Sequence, residues 1–403
     1  MTIKQNLIAA ARVASVTAFL CAMSIGMAAA YDGIVKKQAF EMPSYTTVGG
    51  KTIKKVRIGY ETYGTLNAAK DNVIMIYHPH TATSHAAGKY KPEDKAPGYW
   101  DSIIGAGKAI DTDRFFVISS DILSNVNTKD PNVITTGPAS INPNTGKPYA
   151  MSFPIVAMHD IVNVQKALLE SLGIKKLYAA MGASYGSAQA LEWAAGYPDM
   201  VERLIAVVPT PGFSAFTIAM ESAWTAPIML DPNWKGGNYY GGPEPVAGMT
   251  AALNLLWMIC VTPDFLENQG GNKWADPNKN PLDSWDNQFA IDTTISKISA
   301  GRAKLYDANS FIYLVRGAQS WKIGGKLTIE EGLAQIKAKV LVLVSKEDYI
   351  LPTKLALKMA DTLKAQGKKV EVEMLDESAK AGHLDCIFSI HKSGETIKRF
   401  LAN

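Results

Sequence analysis

Residues 178 to 186, Tyr178-Ala179-Ala180-Met181-Gly182-Ala183-Ser184-Tyr185-Gly186, constrain this chain more than any other segment. A short apolar run passes into G-x-S-x-G, and Ser187 to Ala195 then reads as a helix. A strand that turns this sharply into a helix tolerates only small residues beside the turn, and it presents the central side chain above the edge of a sheet. The pattern predicts that Ser184 is a nucleophile. The helix that begins behind it supplies a positive dipole end, and the Tyr185 N–H is placed to donate to a developing oxyanion.

The rest of the chain reads as an α/β fold with a mostly parallel central sheet flanked by helices. Strands are expected at Val56 to Tyr63, Val73 to His78, Phe115 to Ser120, Leu177 to Gly182, Leu204 to Pro209, Val340 to Ser345 and Val370 to Leu375. Several are continuous apolar runs, as strands covered on both faces should be. Ile161, Val164, Ala167, Leu168 and Leu172 recur at helical spacing and predict a helix from Asp160 to Leu172. The alternation stops after Pro209 and resumes near Val340, and six of the eight tryptophans (Trp224, Trp234, Trp257, Trp274, Trp285 and Trp321) lie between. A structureless loop of that length does not fit a compact domain, so residues 211–329 are read as an inserted helical cap, with 31–210 and 330–403 forming the core.

A serine at its free pKa needs a base, usually a histidine held by a carboxylate, and behind such a turn the acid and then the histidine follow along the chain. Only His383 and His391 come after Ser184. His383 follows Ala381-Gly382 in a loop, whereas His391 sits in a terminal helical pattern with Lys392 and Lys398, so His383 is the expected base. Asp348, in Lys346-Glu347-Asp348 just past the Val340 strand, is the expected acid, ahead of Glu347, Asp376 and Asp385. The loop after the Val73 strand, Pro79-His80-Thr81-Ala82, is expected to supply a second oxyanion donor from the backbone of His80 or Thr81. His78, His80 and His85 also carry an H-x-H spacing that suits zinc, but the stretch fits the oxyanion loop better. Neither a metal nor a cofactor is expected.

With 41 Lys+Arg against 37 Asp+Glu and no basic run longer than three, the chain lacks the clustered charge of a nucleic-acid-binding surface. Half of the formal +4 lies in residues 1–30, where Lys4 and Arg12 precede the apolar run Val13 to Met27 and Ala28-Ala29-Ala30. That order is a secretory signal peptide with cleavage after Ala30, and the apolar run is short for a membrane span. The mature chain is expected to be periplasmic or secreted, with no membrane attachment. Of the three cysteines Cys21 leaves with the signal, and whether Cys260 and Cys386 pair stays open.

The chain resembles the homoserine O-acetyltransferase family of the α/β-hydrolase fold. The resemblance rests on Tyr60-Glu61-Thr62-Tyr63-Gly64-Thr65-Leu66-Asn67, Thr136-Gly137-Pro138-Ala139-Ser140-Ile141-Asn142-Pro143, Thr145-Gly146-Lys147-Pro148-Tyr149, Gln189-Ala190-Leu191-Glu192-Trp193-Ala194, Tyr197-Pro198-Asp199 and Gly382-His383. It implies that Ser184, Asp348 and His383 are the triad and that the cap also forms a homodimer interface. The chain departs from the family where it has Tyr185 and Ser187 in the elbow, in place of a methionine and a glycine. It departs again where Trp224-Thr225-Ala226-Pro227-Ile228 lacks the arginine expected to grip an amino-acid carboxylate, a contact whose loss leaves that charge unpaired. The cap's later tyrosine and arginine are likewise not recognisable around Val261 to Gln269. Export also separates the chain from acetyl-CoA. The expected function is hydrolysis of a small-molecule ester. The alternatives are acyl transfer from acetyl-CoA to homoserine, a non-catalytic ligand-binding protein and a metal-dependent hydrolase.

Overall fold

The computed structural model describes residues 31–376 and 378–403; the expected signal peptide, residues 1–30, lies outside them. Ten strands run β1 (Gln38–Thr46), β2 (Thr52–Tyr63), β3 (Val73–Tyr77), β4 (Ile104–Gly105), β5 (Ile110–Asp111), β6 (Phe116–Ser120), β7 (Ala179–Ala183), β8 (Arg203–Val207), β9 (Lys339–Val344) and β10 (Val370–Met374). Eight form one sheet in the order β1-β2-β6-β3-β7-β8-β9-β10, and β4 and β5 pair separately. From β6 to β10 every neighbour is parallel, while β1 and β2 join antiparallel. The sheet is flanked by helices, among them α1 (Met158–Ser171) and α2 (Tyr185–Gly196), and toward the end of the chain follow α9 (Thr353–Ala365), the short α10 (Asp385–Phe388) and α11 (Gly394–Ala402).

The seven expected strands are all present, with no end shifted by more than four residues. β1 was not expected because it is an edge strand with mostly exposed side chains, so it carries no apolar run. Its turn back into β2 pairs Thr46 with Thr52 and carries β2 four residues further than its apolar segment. β3 shows why the central strands read as unbroken apolar stretches. Val73, Met75 and Tyr77 enter one apolar layer and Ile74 and Ile76 the other, and all five are fully buried.

Between β8 and β9 the chain runs through α3 (Ala215–Leu230), α4 (Val246–Cys260), α5 (Pro263–Asn268), α6 (Ala290–Ala303), α7 (Ala308–Gln319) and α8 (Ile329–Ala334). Side-chain oxygens of Ser214, Thr262, Asp307 and Thr328 cap α3, α5, α7 and α8, each contributing about 1 kcal/mol. Asp307 also accepts from the hydroxyls of Tyr239 and Tyr240, tying the loop after α3 to α7. Among the described residues no helix is long and apolar enough to cross a membrane.

Candidate active site

Ser184 is the first residue past β7 and the N-cap of α2, held at φ +59° and ψ −122°, a conformation L-residues rarely adopt. Its backbone is locked by an N–H donated to the Val207 carbonyl at 3.0 Å. The flanking glycines are steric necessities. A Cβ on Gly182 would stand 2.2 Å from the Gly186 carbonyl oxygen, and one on Gly186 would stand 2.0 Å from the Tyr77 carbonyl oxygen at the end of β3.

Ser184 Oγ lies 2.7 Å from His383 Nε2, and His383 Nδ1 lies 2.6 Å from Asp348 Oδ2. A carboxylate can only accept, so Nδ1 carries the proton and Nε2 is left to accept from the serine hydroxyl. The other oxygen of Asp348 accepts from the N–H groups of Ile350 and Leu351 at 3.0 and 2.8 Å, which fixes the carboxylate before the imidazole arrives. Asp348 therefore both holds the turn before α9 and orients the histidine. His383 sits in a short 3-10 turn, and Gly382 before it has φ +61°, which brings the imidazole back over the sheet edge. Asp348 and His383 are 6% and 4% exposed, so the chain of hydrogen bonds is shielded from bulk water. Of the other candidates, Asp376 pairs with exposed Lys392, Asp385 accepts from the Ser389 hydroxyl, Glu347 borders a separate cavity, and His391 is exposed.

The Tyr185 amide is at the first position of α2, where an N–H has no intrahelical acceptor, and the Pro79–Ala82 turn lies across from it. Pro79, His80 and Thr81 border the same cavity as Ser184 and His383. Asn125 and Asn127, which sequence reading did not single out, hold this turn: their side-chain amides donate to the Ala82 carbonyl at 3.1 and 3.3 Å, and Asn127 donates to the Thr81 carbonyl at 3.1 Å. The three histidines of this stretch separate. His78 Nδ1 donates to the Pro79 carbonyl, His80 packs edge-on against Tyr185 and Phe311, and His85 Nδ1 donates to Glu61. Among the described residues no three His, Cys, Asp or Glu side chains converge to hold a metal ion.

Behind the loop lies a second group of residues that the sequence reading did not assign a role. Glu61 accepts from Tyr63, Tyr90 and His85 and pairs with Lys37 at 2.8 Å, while Asp121 accepts from the Ser84 amide and hydroxyl. Burial alone would raise the Glu61 carboxyl, but the His85 hydrogen bond and the Lys37 charge outweigh it and hold it at about 2. Its contribution to stability is thus present above the ordinary carboxyl value of about 4.5 and is lost as pH falls toward 2. Glu61→Gln leaves Lys37 with the longer 3.4 Å contact to Asp121 as its carboxylate partner and His85 without its carboxylate acceptor, in a buried setting, and is expected to cost about 3 kcal/mol in urea unfolding at pH 7.

The cavity over Ser184 is walled by Phe213, Trp224, Leu256, Ile350, Leu351 and Leu384. No Arg or Lys is among the described residues that border it. Arg302 and Tyr306, which bond to each other at 3.0 Å, border an adjoining cavity. Of the six tryptophans between Pro209 and Val340, only Trp224 borders the Ser184 cavity, and Trp257 borders the adjoining one. Trp234 and Trp321 are hydrogen-bonded to Asn309 and Glu192, and Trp274 and Trp285 are exposed. Cys260 and Cys386 are both free thiols, which closes the pairing question for this structure.

Glu221 is the one carboxyl in the wall of the Ser184 cavity, and burial pushes it up to about 8. Between about 4.5 and 8 the folded chain therefore holds a proton that the unfolded chain has lost, so this group lowers stability as pH rises. Glu221→Gln is expected to stabilise the protein by on the order of 1 to 3 kcal/mol at pH 7, with the gain fading toward pH 4.5 in thermal melts.

A strand, a strained turn with serine at its apex and a helix, set on a sheet of this order, define an α/β-hydrolase-fold protein, and residues 96–389 match the alpha/beta hydrolase fold family. Among curated relatives, homoserine O-acetyltransferase of Carboxydothermus hydrogenoformans is 35% identical over 92% of this chain and 96% of its own length. Among solved structures, homoserine O-acetyltransferase from Bacillus anthracis is 40% identical with a TM-score of 0.87, over 92% of this chain and 98% of that one. Esterase E22 is 47% identical with a TM-score of 0.88, over 91% of this chain and 100% of that one. The chain belongs to the homoserine O-acetyltransferase family, serine acyl-transfer enzymes of the α/β-hydrolase fold.

Proposed function

We propose that the chain is an ester hydrolase that works through an acyl-enzyme on Ser184. Ser184 Oγ attacks the ester carbonyl as His383 Nε2 takes the hydroxyl proton, Asp348 stabilises the imidazolium, and the amides of Tyr185 and of His80 or Thr81 hold the oxyanion. The tetrahedral intermediate collapses, the alcohol leaves with the proton from His383, and water, deprotonated by the same nitrogen, then releases the acid. The helical segment 211–329 acts as the cap that shapes the cavity.

The observation that carries hydrolysis is the cavity wall. An amino-acid acceptor brings a carboxylate and an ammonium, and the described wall holds no cation, while its one carboxyl is held neutral by burial below about pH 8. The likeness to esterase E22 supports the same reading. Acyl transfer to homoserine is the second reading, and the names of the curated relatives support it more directly than they support hydrolysis. A chain-length series of 4-nitrophenyl esters tests the proposal: cleavage that depends on Ser184 and favours short to medium acyl chains is expected, and no Ser184-dependent cleavage of any ester would sink it.

We also propose export of the mature chain and pairing through the cap. Exposed apolar side chains on that segment, including Leu230, Leu282 and Trp285 at 82%, 92% and 98% exposure, support the pairing. Light scattering is expected to give a dimer mass that Trp285→Asp lowers; a monomer mass for the unaltered protein would refute the pairing.

A further inference from the structure

Four polar atoms around the Ser184 cavity are buried and have no hydrogen-bonding partner among the described residues: Glu221 Oε2, Tyr185 Oη and both ring nitrogens of His80. Glu221 and Tyr185 are each 5% exposed. Leaving such atoms unpaired costs about 1 to 3 kcal/mol apiece, so a mostly apolar wall does not collect them beside the nucleophile without a use. They also belong together. His80 stands edge-on to Tyr185 at 5.4 Å, and the Glu221 carboxyl adds to burial in pushing the Tyr185 phenol far up.

We infer that Glu221, with Tyr185 and His80, forms a polar subsite that binds an uncharged hydroxyl group carried by the ester substrate a few bonds from its carbonyl. This rests on the reading of the chain as an ester hydrolase and names the class of ester it selects. The chemistry of the three groups fixes the charge of the ligand. Burial holds the Glu221 carboxyl protonated at neutral pH and drives the His80 imidazole down to about 4, so the subsite presents an acid, a phenol and a neutral imidazole, each able to donate and accept. The remaining titratable groups bordering the cavity are His383, which is bound to Asp348, and the Cys260 thiol, which burial keeps protonated. On the helices packed against α3, Tyr313 donates to the Met151 and Phe153 carbonyls and Arg316 is exposed. Nothing there supplies a counter-charge for an ionic substrate. A hydroxyl, as both donor and acceptor, satisfies two of the orphaned atoms at once. The walls of Trp224, Leu256 and Leu384 bury the carbon skeleton.

The test compares matched esters. On the acyl side, 4-nitrophenyl butyrate is set against 4-nitrophenyl 3-hydroxybutyrate, whose hydroxyl is too near the carbonyl to close an unstrained lactone; on the alcohol side, ethyl butyrate is set against 2-hydroxyethyl butyrate, with acid release followed by titration. The ratio of kcat/KM, hydroxylated over plain, is expected to exceed one in one of the two pairs and to fall about tenfold in Glu221→Leu, with Glu221→Gln restoring most of it. A structural role for Glu221 would lower both members of a pair together and leave the ratio in place. Binding of methyl 3-hydroxybutyrate or 2-hydroxyethyl butyrate, each against its unhydroxylated counterpart, to Ser184→Ala by calorimetry reads the subsite without turnover. Selective binding with no ester cleavage would keep the subsite and sink the hydrolase reading. Cleavage with a ratio that Glu221→Leu does not change, or a preference for an ammonium-bearing ester, would overturn the subsite and leave the hydrolase reading standing.

Discussion

Ser184→Ala is expected to lower kcat/KM for any ester the protein cleaves by roughly 10⁴- to 10⁶-fold while leaving the fold in place. The size follows from how the groups depend on one another. His383 Nε2 bonds to Ser184 Oγ, and the imidazole is oriented for that proton alone, so without the hydroxyl the base has nothing to activate except unpositioned water. The residual rate comes from the oxyanion amides and from binding, which the substitution leaves alone. Stability should change by less than about 1 kcal/mol, because the strained backbone of Ser184 is held by its N–H bond to Val207 and by the packing of both glycines, neither of which involves the hydroxyl. Steady-state kinetics with a thermal melt on the same preparation checks both halves. A loss under tenfold in intact protein would mean that another group carries the chemistry.

Asp348→Asn should lower kcat/KM by on the order of 10³- to 10⁴-fold, more than its small change in shape suggests. The two backbone N–H groups of Ile350 and Leu351 require an oxygen at the Oδ1 position, so the asparagine carbonyl settles there and the amide NH₂ turns toward His383. A donor now faces Nδ1, which must become the acceptor. The ring proton moves to Nε2, where it meets the serine hydroxyl and blocks proton abstraction. Raising the pH does not restore the right tautomer, so the loss should persist across the pH–rate profile. Rates within tenfold of the unaltered protein would show that the acid orients nothing.

The elbow was legible because its requirements are local. The tight turn needs Gly182 and Gly186 for the 2.2 and 2.0 Å approaches, and a buried strand before it needs an unbroken apolar run, so both features appear within nine residues. His383 and Asp348 were legible through chain order and through the strand ends they follow. The structure brings both to Ser184 in one hydrogen-bonded chain. The scaffold of the oxyanion loop was not legible. Asn125 and Asn127 reach residues 78 to 82 from more than forty positions away, through loop-to-loop contacts that have no periodicity. Glu61 left a trace, a carboxylate in the partly apolar strand β2, but its partners come from two distant segments, Lys37 before β1 and His85 and Tyr90 in the loop after β3. The tryptophans carry less information about the site. Their density between Pro209 and Val340 marks a folded insertion and does not say which of them meets a ligand: Trp224 borders the Ser184 cavity, Trp234 and Trp321 are hydrogen-bonded elsewhere, and Trp274 and Trp285 are exposed. The described residues that border the Ser184 cavity include no Arg or Lys, while Arg302 and Tyr306 stand in the cavity next to it, a placement that no local pattern in the sequence displays.

The choice of acyl acceptor is the central claim, and one competition decides it. Purified protein is given acetyl-CoA or a 4-nitrophenyl acetate donor with millimolar homoserine in water, and free acetate and O-acetylhomoserine are quantified from the same reaction beside a Ser184→Ala control. Acetate formed in a Ser184-dependent way from the ester donor, with no O-acetylhomoserine from either donor, is the predicted result. Accumulation of O-acetylhomoserine at a rate above that of acetate would contradict it and make the chain a transferase.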